Sequence, residues 1–236
     1  MEIGDRMKYY EKLTQTNLSP LLPVMVRLDG KNFSKWTKGL DKPYDKKFCK
    51  LMQDTTEFLI KQTNAVLGYT QSDEITLCLY SDNFESQTFF NGRVQKLCSV
   101  LSSFATGFFN KNSPFDKPLA FFDCRVWNVP NSQEAANVFL WRELDATRNS
   151  ILSAAQTVYS HKEMMNKKTD VLQEMLFQKG INWNNYPSYF KRGAYLRKTQ
   201  IEKELNGQKC IRSNIQMIEF PLLMTMENKL EIFKSD

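Results

Sequence analysis

The chain has 236 residues, of which 42% are hydrophobic and 25% charged, so it is long enough for one globular domain with a sizeable core. Lysine and arginine outnumber the acidic residues by 32 to 26, and the formal charge of +6 suits a polyanionic partner without identifying one. The sequence has no run of about 18 apolar residues and no basic start followed by an apolar stretch, so we expect no membrane span, no secretory signal and a cytoplasmic location.

The chemistry available to the chain is restricted by its histidine and cysteine content. His161 is the single histidine, and the five cysteines are scattered without a CxxC pair. This pattern predicts free thiols in a reducing compartment and argues against a zinc site. If the chain is an enzyme, its carboxylates and lysines must act together with a hard metal ion.

The predicted elements begin with a short helix over residues 1–12. Hydrophobic periodicity then predicts strands and helices in the order strand, helix, strand, strand, helix, strand, at 24–28, 45–64, 66–69, 75–80, 86–110 and 119–129. This order is typical of the ferredoxin-type split βαβ arrangement, an α/β (α+β) fold with an antiparallel sheet and long helices.

The pattern changes beyond residue 130. It predicts a long helix over 131–160, a shorter one over 169–178 and basic short strands after Lys191. We therefore place a soft boundary at 130, with residues 1–130 as the main domain and residues 131–236 as a C-terminal extension packed onto it.

Three carboxylates stand at the ends of predicted strands. Asp29 follows the strand at 24–28, and Asp73 and Glu74 lie in the turn before the strand at 75–80. In a ferredoxin-type sheet these strands are neighbours, so the carboxylates converge and need a cation such as Mg²⁺ to stay ionised together. The simpler alternative is ordinary turn chemistry, because Asp-Gly and Ser-Asp-Glu are both common in turns.

Basic residues concentrate in two stretches. Residues 31–50 and 191–212 each carry an excess of five positive charges, and Arg93 and Lys96 share one face of a predicted helix. Such a pair can hold two phosphate oxygens, although most lysines are simply solvated. Aromatic residues before Lys191 can stack on bases or pack in the core.

A polar run interrupts the helix at 131–160. Arg142, Asp145 and Asn149 fall on one of its faces, which either lines a polar groove or is exposed. The exposed alternative is the default, and it predicts that Trp141, Leu144 and Ile151 form the core side.

Taken together, four motifs in this order resemble those of the tRNA(His) guanylyltransferase family, over residues 4–198. They are Arg27-Leu28-Asp29-Gly30-Lys31-Asn32-Phe33, Gln71-Ser72-Asp73-Glu74, Phe122-Asp123-Cys124-Arg125-Val126, and Trp141-Arg142 with Asp145. The resemblance implies a reverse polymerase that adds nucleotides to the 5′ end of tRNA, with a palm-like catalytic domain at 1–130.

The resemblance also implies roles for individual residues. Asp29 and Asp73 would hold two Mg²⁺ ions with the backbone carbonyl of Gly30, and Glu74 would support them as a third catalytic carboxylate. Contacts to the ATP or GTP substrate are assigned to Lys31, Asn32, Phe33, Lys42, Ser72, Arg93 and Lys96. Contacts to tRNA are assigned to Arg125, Arg142, Asp145, Arg148, Asn149, Lys191 and Arg192. A homodimer or homotetramer is expected.

The sequence departs from the eukaryotic members of this family. Their His-Ile-Asn-Asn run is replaced here by Thr147-Arg148-Asn149-Ser150, and Ser34 stands where they often have histidine. We therefore expect the guanylyltransferase-like branch of bacteria, archaea and viruses, whose members favour template-directed repair of truncated tRNA. The alternatives are a nucleotide cyclase on the same palm and a non-catalytic tRNA-binding protein.

Overall fold

A computed structural model describes residues 1–81, 89–205 and 208–234. Six strands form one sheet, in the spatial order β4-β1-β3-β2-β5-β6. The strands are β1 (Val24–Gly30), β2 (Leu67–Gln71), β3 (Glu74–Leu79), β4 (Phe122–Asn128), β5 (Ala194–Leu205) and β6 (Gln208–Ile218). The α-helices are α1 (Ile3–Lys12), α2 (Phe33–Trp36), α3 (Lys46–Thr63), α4 (Val94–Asn112), α5 (Ser132–Ala155), α6 (His161–Met164), α7 (Thr169–Gln178) and α8 (Ser188–Lys191).

The predicted ferredoxin-type arrangement is confirmed. Strand β1 lies between β3 and β4, β2 lies beside β3, and all of these pairs are antiparallel. Helix α3 begins where Asp45 accepts hydrogen bonds from the backbone N–H groups of Lys47 and Phe48, at 2.9 and 3.0 Å. The predicted helix at 86–110 is α4, which begins at Val94; residues 86–88 lie outside the described residues.

The two faces of the sheet carry different helices. Val24, Val26 and Leu28 of β1 are buried in a cluster with residues of α3 and α4, whereas Met25 is buried with residues of α5. Because side chains alternate along a strand, Arg27 and Asp29 face the α5 side together with Met25. This alternation places the first carboxylate on the α5 face of the sheet.

The C-terminal strands are longer than predicted. Instead of short strands, β5 and β6 have 12 and 11 residues. Only Ala194–Arg197 of β5 pair with β2, and the hairpin continues past β2 because β5 and β6 pair with each other along their length. The C-terminal region therefore extends the same sheet.

Glu143 joins three segments on the α5 side. Its carboxylate accepts hydrogen bonds from the Tyr195 hydroxyl on β5, at 2.9 Å, and from the backbone N–H of Leu223, at 3.1 Å. Glu143 is 3% exposed, so these two donors satisfy an acidic group inside the core. Through them α5 fixes both β5 and the C-terminal segment.

Four cysteines, at 49, 78, 98 and 124, are free as predicted; the side chain of Cys210 lies outside the described residues. Among the residues that the structure describes, none of the helices combines the length and apolar character that a membrane crossing requires.

Candidate active site

A two-residue hairpin loop brings the carboxylates to one edge of the sheet. Strand β2 ends at Gln71 and β3 begins at Glu74, so Ser72 and Asp73 alone form the turn, which is shorter than the loop of five residues that the sequence suggested. Ser72 has a φ of 52°, the left-handed conformation that tight hairpins need. Asp29 lies directly opposite Glu74 across β1 and β3. The predicted convergence of the carboxylates is confirmed.

The backbone and the charges hold Asp29 and Asp73 close together. The backbone N–H of Gly30 donates to the carbonyl of Asp73 at 3.1 Å. Burial raises the pKa of Asp73, and the neighbouring charge of Asp29 raises it further, against the lowering effect of hydrogen bonds from its own backbone and from Ser72. Two carboxylates in such an arrangement favour a bound cation.

The available protein ligands fit Mg²⁺, and they are too few for an ion that takes all of its ligands from the protein. Within residues 1–81, 89–205 and 208–234 there is no cluster of three or more acidic, cysteine or histidine side chains that could hold a metal. Asp29 and Asp73 offer two carboxylates, and the carbonyl of Gly30 is adjacent. Mg²⁺ is bound in this way, through one or two carboxylates, with water and phosphate oxygens completing its octahedron.

Glycine is required at position 30 because the Phe33 ring lies against its backbone. A Cβ at Gly30 would stand 2.4 Å from that ring. Phe33 is only 2% exposed and packs against the rings of Trp36, Phe109 and Phe122. The structure thus places Phe33 in the core, where it supports the strand end, and not on a surface that a nucleotide could reach.

Glu74 takes part in an ion-pair chain. It accepts a hydrogen bond from Arg142 Nε at 2.6 Å, and Arg142 in turn donates to Asp145 at 2.8 Å. Arg27 lies 4.0 Å from the other oxygen of Glu74. Burial raises the pKa of Glu74 and the two arginines lower it. The Glu74 carboxylate is therefore occupied by arginines, and its hydrogen bond holds Arg142 in place at the wall of the cleft.

A cleft of about 480 Å³ opens beside the carboxylates. Its volume lies within the range of small-molecule sites. The predicted site residues that line it are Asp29, Lys42, Ser72, Asp73, Glu74, Arg142, Asp145 and Asn149. Sequence reasoning missed several further lining residues, among them Arg27, Tyr44, Ser153 and Tyr189. The site therefore joins the ends of β1 and β3 to the loop at 37–45 and to one face of α5.

Other predicted residues are not among those that line this cleft. Lys31 and Asn32 are exposed after the end of β1, and Arg125 is exposed on the edge strand, where it pairs with Asp123 at 3.4 Å. Arg148 is exposed and pairs with Asp145.

Lys191 and Arg192, at the end of α8, make contacts outside the cleft. Lys191 donates to the carbonyl of Asn184 at 2.7 Å and lies over the Trp183 ring. Burial lowers the pKa of Lys191, and the charge of Arg192 adds to the effect. The carbonyl of Arg192 accepts the Tyr69 hydroxyl at 2.7 Å. Neither residue lines the cleft.

Arg93 and Lys96 stand at the opposite end of the sheet from the carboxylates. At the start of α4, the backbone N–H of Leu18 donates a hydrogen bond to the carbonyl of Gly92. In the last turn of α4, the side chain of Asn110 donates to the carbonyl of Ala120, just before β4 pairs with the Asp29 end of β1. Strand β1 has seven residues, so its two ends are roughly 20 Å apart. Within one chain, this pair therefore does not reach the cleft.

Helix α5 faces the opposite way from the prediction for its polar run. Trp141 and Leu144 are 49% and 46% exposed, whereas Arg142 and Glu143 are buried; only Ile151 is in the core as predicted. The physical reason is that Arg142 and Glu143 have buried partners, which repay their desolvation. The sequence did contain a signal for the buried face of α5, a stripe of small and aromatic residues at Ala135, Phe139, Ala146, Ser150 and Ala154.

Comparison with known proteins points to one family. The sequence model described as tRNA(His) guanylyltransferase matches residues 4–130. A bacterial tRNA(His) guanylyltransferase-like protein in complex with ATP superposes with a TM-score of 0.86 at 35% identity, covering 99% of both chains. A complex of a bacterial protein of the same description with GTP gives 0.79 at 35% identity, over 94% of both chains. The tRNA(His) guanylyltransferase of Saccharomyces cerevisiae is 31% identical over 212 residues, 80% of this chain and 88% of the yeast protein.

The fold, the paired carboxylates and these similarities define a nucleotidyltransferase. More specifically, the chain belongs to the tRNA(His) guanylyltransferase family.

Proposed function

We propose that the protein adds nucleotides to the 5′ end of tRNA in the 3′–5′ direction, with ATP or GTP as substrate. The observation that carries this proposal is the pairing of Asp29 and Asp73 at one wall of a cleft that Lys42 also lines. A triphosphate with Mg²⁺ needs charges of both signs within one site. The similar bacterial structures with ATP and with GTP support nucleotide binding in such a fold.

The side chains of the cleft divide the work. Asp29, Asp73 and the Gly30 carbonyl would hold Mg²⁺, which supplies charge neutralisation of the phosphates and activation of a hydroxyl nucleophile. Lys42 binds the triphosphate. Arg142, fixed between Glu74 and Asp145, presents a rigid positive group on the same wall.

In this proposal the reaction is catalysed mainly by positioning of the reacting groups. In the proposed sequence the 5′ phosphate of the tRNA first attacks the α-phosphate of ATP or GTP and displaces pyrophosphate. The 3′-hydroxyl of the incoming nucleotide then attacks the activated 5′ phosphate and displaces the activating nucleoside monophosphate. None of the residues found to line the cleft is a histidine, so electrostatics and alignment carry the step in place of an imidazole base.

We further propose that the active form is a dimer or tetramer in the cytoplasm. Arg93 and Lys96 lie at the far end of the sheet from their own carboxylates, so a phosphate contact by this pair requires RNA that spans a considerable distance or a second subunit. The excess of positive charge favours tRNA as the spanning molecule.

The substrate is proposed to be tRNA that lacks 5′ nucleotides, with selection by the opposite strand of the acceptor stem. The support is the replacement of His-Ile by Thr147 and Arg148. Arg148 is held in an ion pair with Asp145 on the rim of the cleft. Pairing selects a nucleotide because a mismatched hydroxyl is held out of attack geometry, and misplacement of about 1 Å costs about 100-fold.

The test uses two tRNAs, neither of them tRNA(His), that lack one 5′ nucleotide and have different template bases at the gap. Each is incubated with labelled ATP or GTP and Mg²⁺, and the product length is measured. We expect addition that follows the template base in both. Addition of G only to full-length tRNA(His) would contradict the choice of substrate, and formation of a cyclic nucleotide without extension would indicate a cyclase.

Two variants make this assay specific for the site. Asp73→Asn removes one charge of the carboxylate pair, and transfer should be lost. Asp54→Asn is the control, because Asp54 is a partly exposed carboxylate that pairs with Lys50 on α3 and does not line the cleft. Equal loss in both variants would refute the assignment of the carboxylate pair.

A further inference from the structure

Trp141 is an exposed indole with no place in the core. Nearly half of its surface is open, at 49%, although it lies in the middle of α5. Large aromatic side chains contribute most to stability when they are buried. An indole in this position is therefore available to contact a partner.

Two arginines fix the Trp141 ring beside the cleft. The guanidinium carbon of Arg142 lies 4.4 Å from the ring centroid, and that of Arg27 lies 5.3 Å from it. Both arginines are mostly buried and both line the cleft. Cation–π contacts of this kind hold the ring in one orientation. The indole consequently lies against the two arginines that contact Glu74 at the wall of the cleft.

Two exposed arginines, each paired with a neighbouring aspartate, add to the surroundings of Trp141. Arg148 is seven residues further along α5, on the same helix face and about 10 Å away, with 67% of its side chain exposed. Arg125 lies directly opposite Arg27 across β1 and β4, so it faces the same side of the sheet and is exposed. An aromatic ring among exposed arginines has the composition of a base-stacking surface.

We propose that Trp141 is the platform on which the terminal base of the RNA stacks when its 5′ end lies in the cleft. This inference rests on the proposed function and adds a substrate-binding residue to it. Stacking on an indole accepts any base, which suits an enzyme whose choice of nucleotide comes from pairing. The buried arginines set the position of the ring, and the exposed ones contact the neighbouring phosphates.

The experiment compares Trp141→Ala, Trp141→Phe and the control Leu144→Ala, which removes a side chain of similar exposure one turn along the helix. Binding of a fluorescent tRNA lacking one 5′ nucleotide is measured by anisotropy, without nucleotide. We expect Trp141→Ala to weaken binding by about 5- to 150-fold, the range that stacking on one base gives. Trp141→Phe retains a ring and should stay within about 3-fold of wild type, as should Leu144→Ala.

Three further readings decide between the alternatives. Transfer by Trp141→Ala should show a raised KM for tRNA with kcat at saturating tRNA nearly unchanged, and ATP should raise its melting temperature as much as that of wild type. Wild-type affinity in Trp141→Ala would overturn the proposal. A reduced mass by light scattering would also overturn it, because Trp141 would then belong to a subunit interface.

The two proposals fail separately. If wild type binds tRNA and Trp141→Ala does not, but no nucleotide is ever transferred, the stacking platform stands and the proposed reaction is wrong. If wild type transfers nucleotides and Trp141→Ala binds equally well, the reaction stands and the platform is wrong. Absence of tRNA binding by wild type would overturn both.

Discussion

Replacing Glu143 tests how the C-terminal region is attached to the rest of the fold. Glu143→Leu leaves the Tyr195 hydroxyl and the backbone N–H of Leu223 without their acceptor. Each orphaned donor costs about 1–3 kcal/mol, so the total is about 2–6 kcal/mol. At the middle of that range, about 4 kcal/mol, the melting temperature of a chain of 236 residues falls by about 8–16 °C.

Glu143→Gln is the matched variant. Its amide oxygen can accept from Leu223 and its amide nitrogen can donate to the Tyr195 oxygen, so both partners keep a hydrogen bond. We expect a change of no more than about 1 kcal/mol near neutral pH. A loss in Glu143→Leu no larger than that in Glu143→Gln, measured by thermal melts, would refute the role given to these two hydrogen bonds.

Wild type and Glu143→Gln should also differ in how their stability depends on pH. Burial raises the pKa of Glu143 above its ordinary value of 4.5, and hydrogen bonds from Tyr195 and Leu223 oppose the rise. The folded state therefore binds this proton more tightly than the unfolded state does. The stability that this tighter proton binding contributes is complete below about pH 4.5, and it is lost as the pH rises through the folded-state pKa of Glu143.

Glu143→Gln lacks this titration. The unfolding free energy of the Gln variant minus that of wild type should therefore increase as the pH rises above about 4.5. Denaturant titrations between pH 4 and pH 8 measure this difference. A difference that stays flat or decreases with pH would show that burial does not dominate the titration of Glu143.

Further expectations concern the site, the packing and the assembly. Asp29→Ala and Asp73→Ala should each retain less than about a tenth of wild-type transfer, a loss of more than about 1.4 kcal/mol of transition-state stabilisation, with melting temperatures that show an intact fold. Gly193→Ala should lower stability by about 1–3 kcal/mol in denaturant titrations, because Gly193 has a φ of +88° and a Cβ there would lie 2.4 Å from the Tyr69 ring. Gly107→Ala in α4, where nothing lies within 4 Å, should instead stabilise the chain by about 0.5–1 kcal/mol. Light scattering should give at least twice the mass of one chain, and a clean monomer at micromolar concentration would contradict the expected assembly.

The central part of the fold could be predicted because its signals are local. Leu51, Met52 and Leu59 repeat with helical spacing, and Asp45 caps the helix that they form. The order of strands and helices then specified the ferredoxin-type sheet, and with it the meeting of Asp29 and Asp73. Each step depended on neighbours in sequence or on a general rule of topology.

The orientation of α5 could not be predicted in the same way. Arg142 is buried because Glu74, 68 residues earlier, accepts its hydrogen bond. Nothing within the polar run itself announces that partner, and solvent exposure is the default for a charged residue. The length of β5 and β6 escaped prediction for a related reason, since those strands mainly stabilise each other through their ladder. The residues that the sequence misplaced are those whose environment comes from distant segments.

The two-residue turn at Ser72 and Asp73 has a consequence for how this site tolerates change in chain length. Asp29 is opposite Glu74, and the turn joins two strands that are held on both sides by further strands. Deleting one residue within β3 would move the β3 side chains that precede the deletion to the other face of the sheet. The two carboxylates would then separate, although the sheet could still form. Insertions in the loop between α4 and β4 leave that register untouched. Homologues and engineered variants should therefore vary in length at such loops while the residue count from Asp73 to the end of β3 stays fixed.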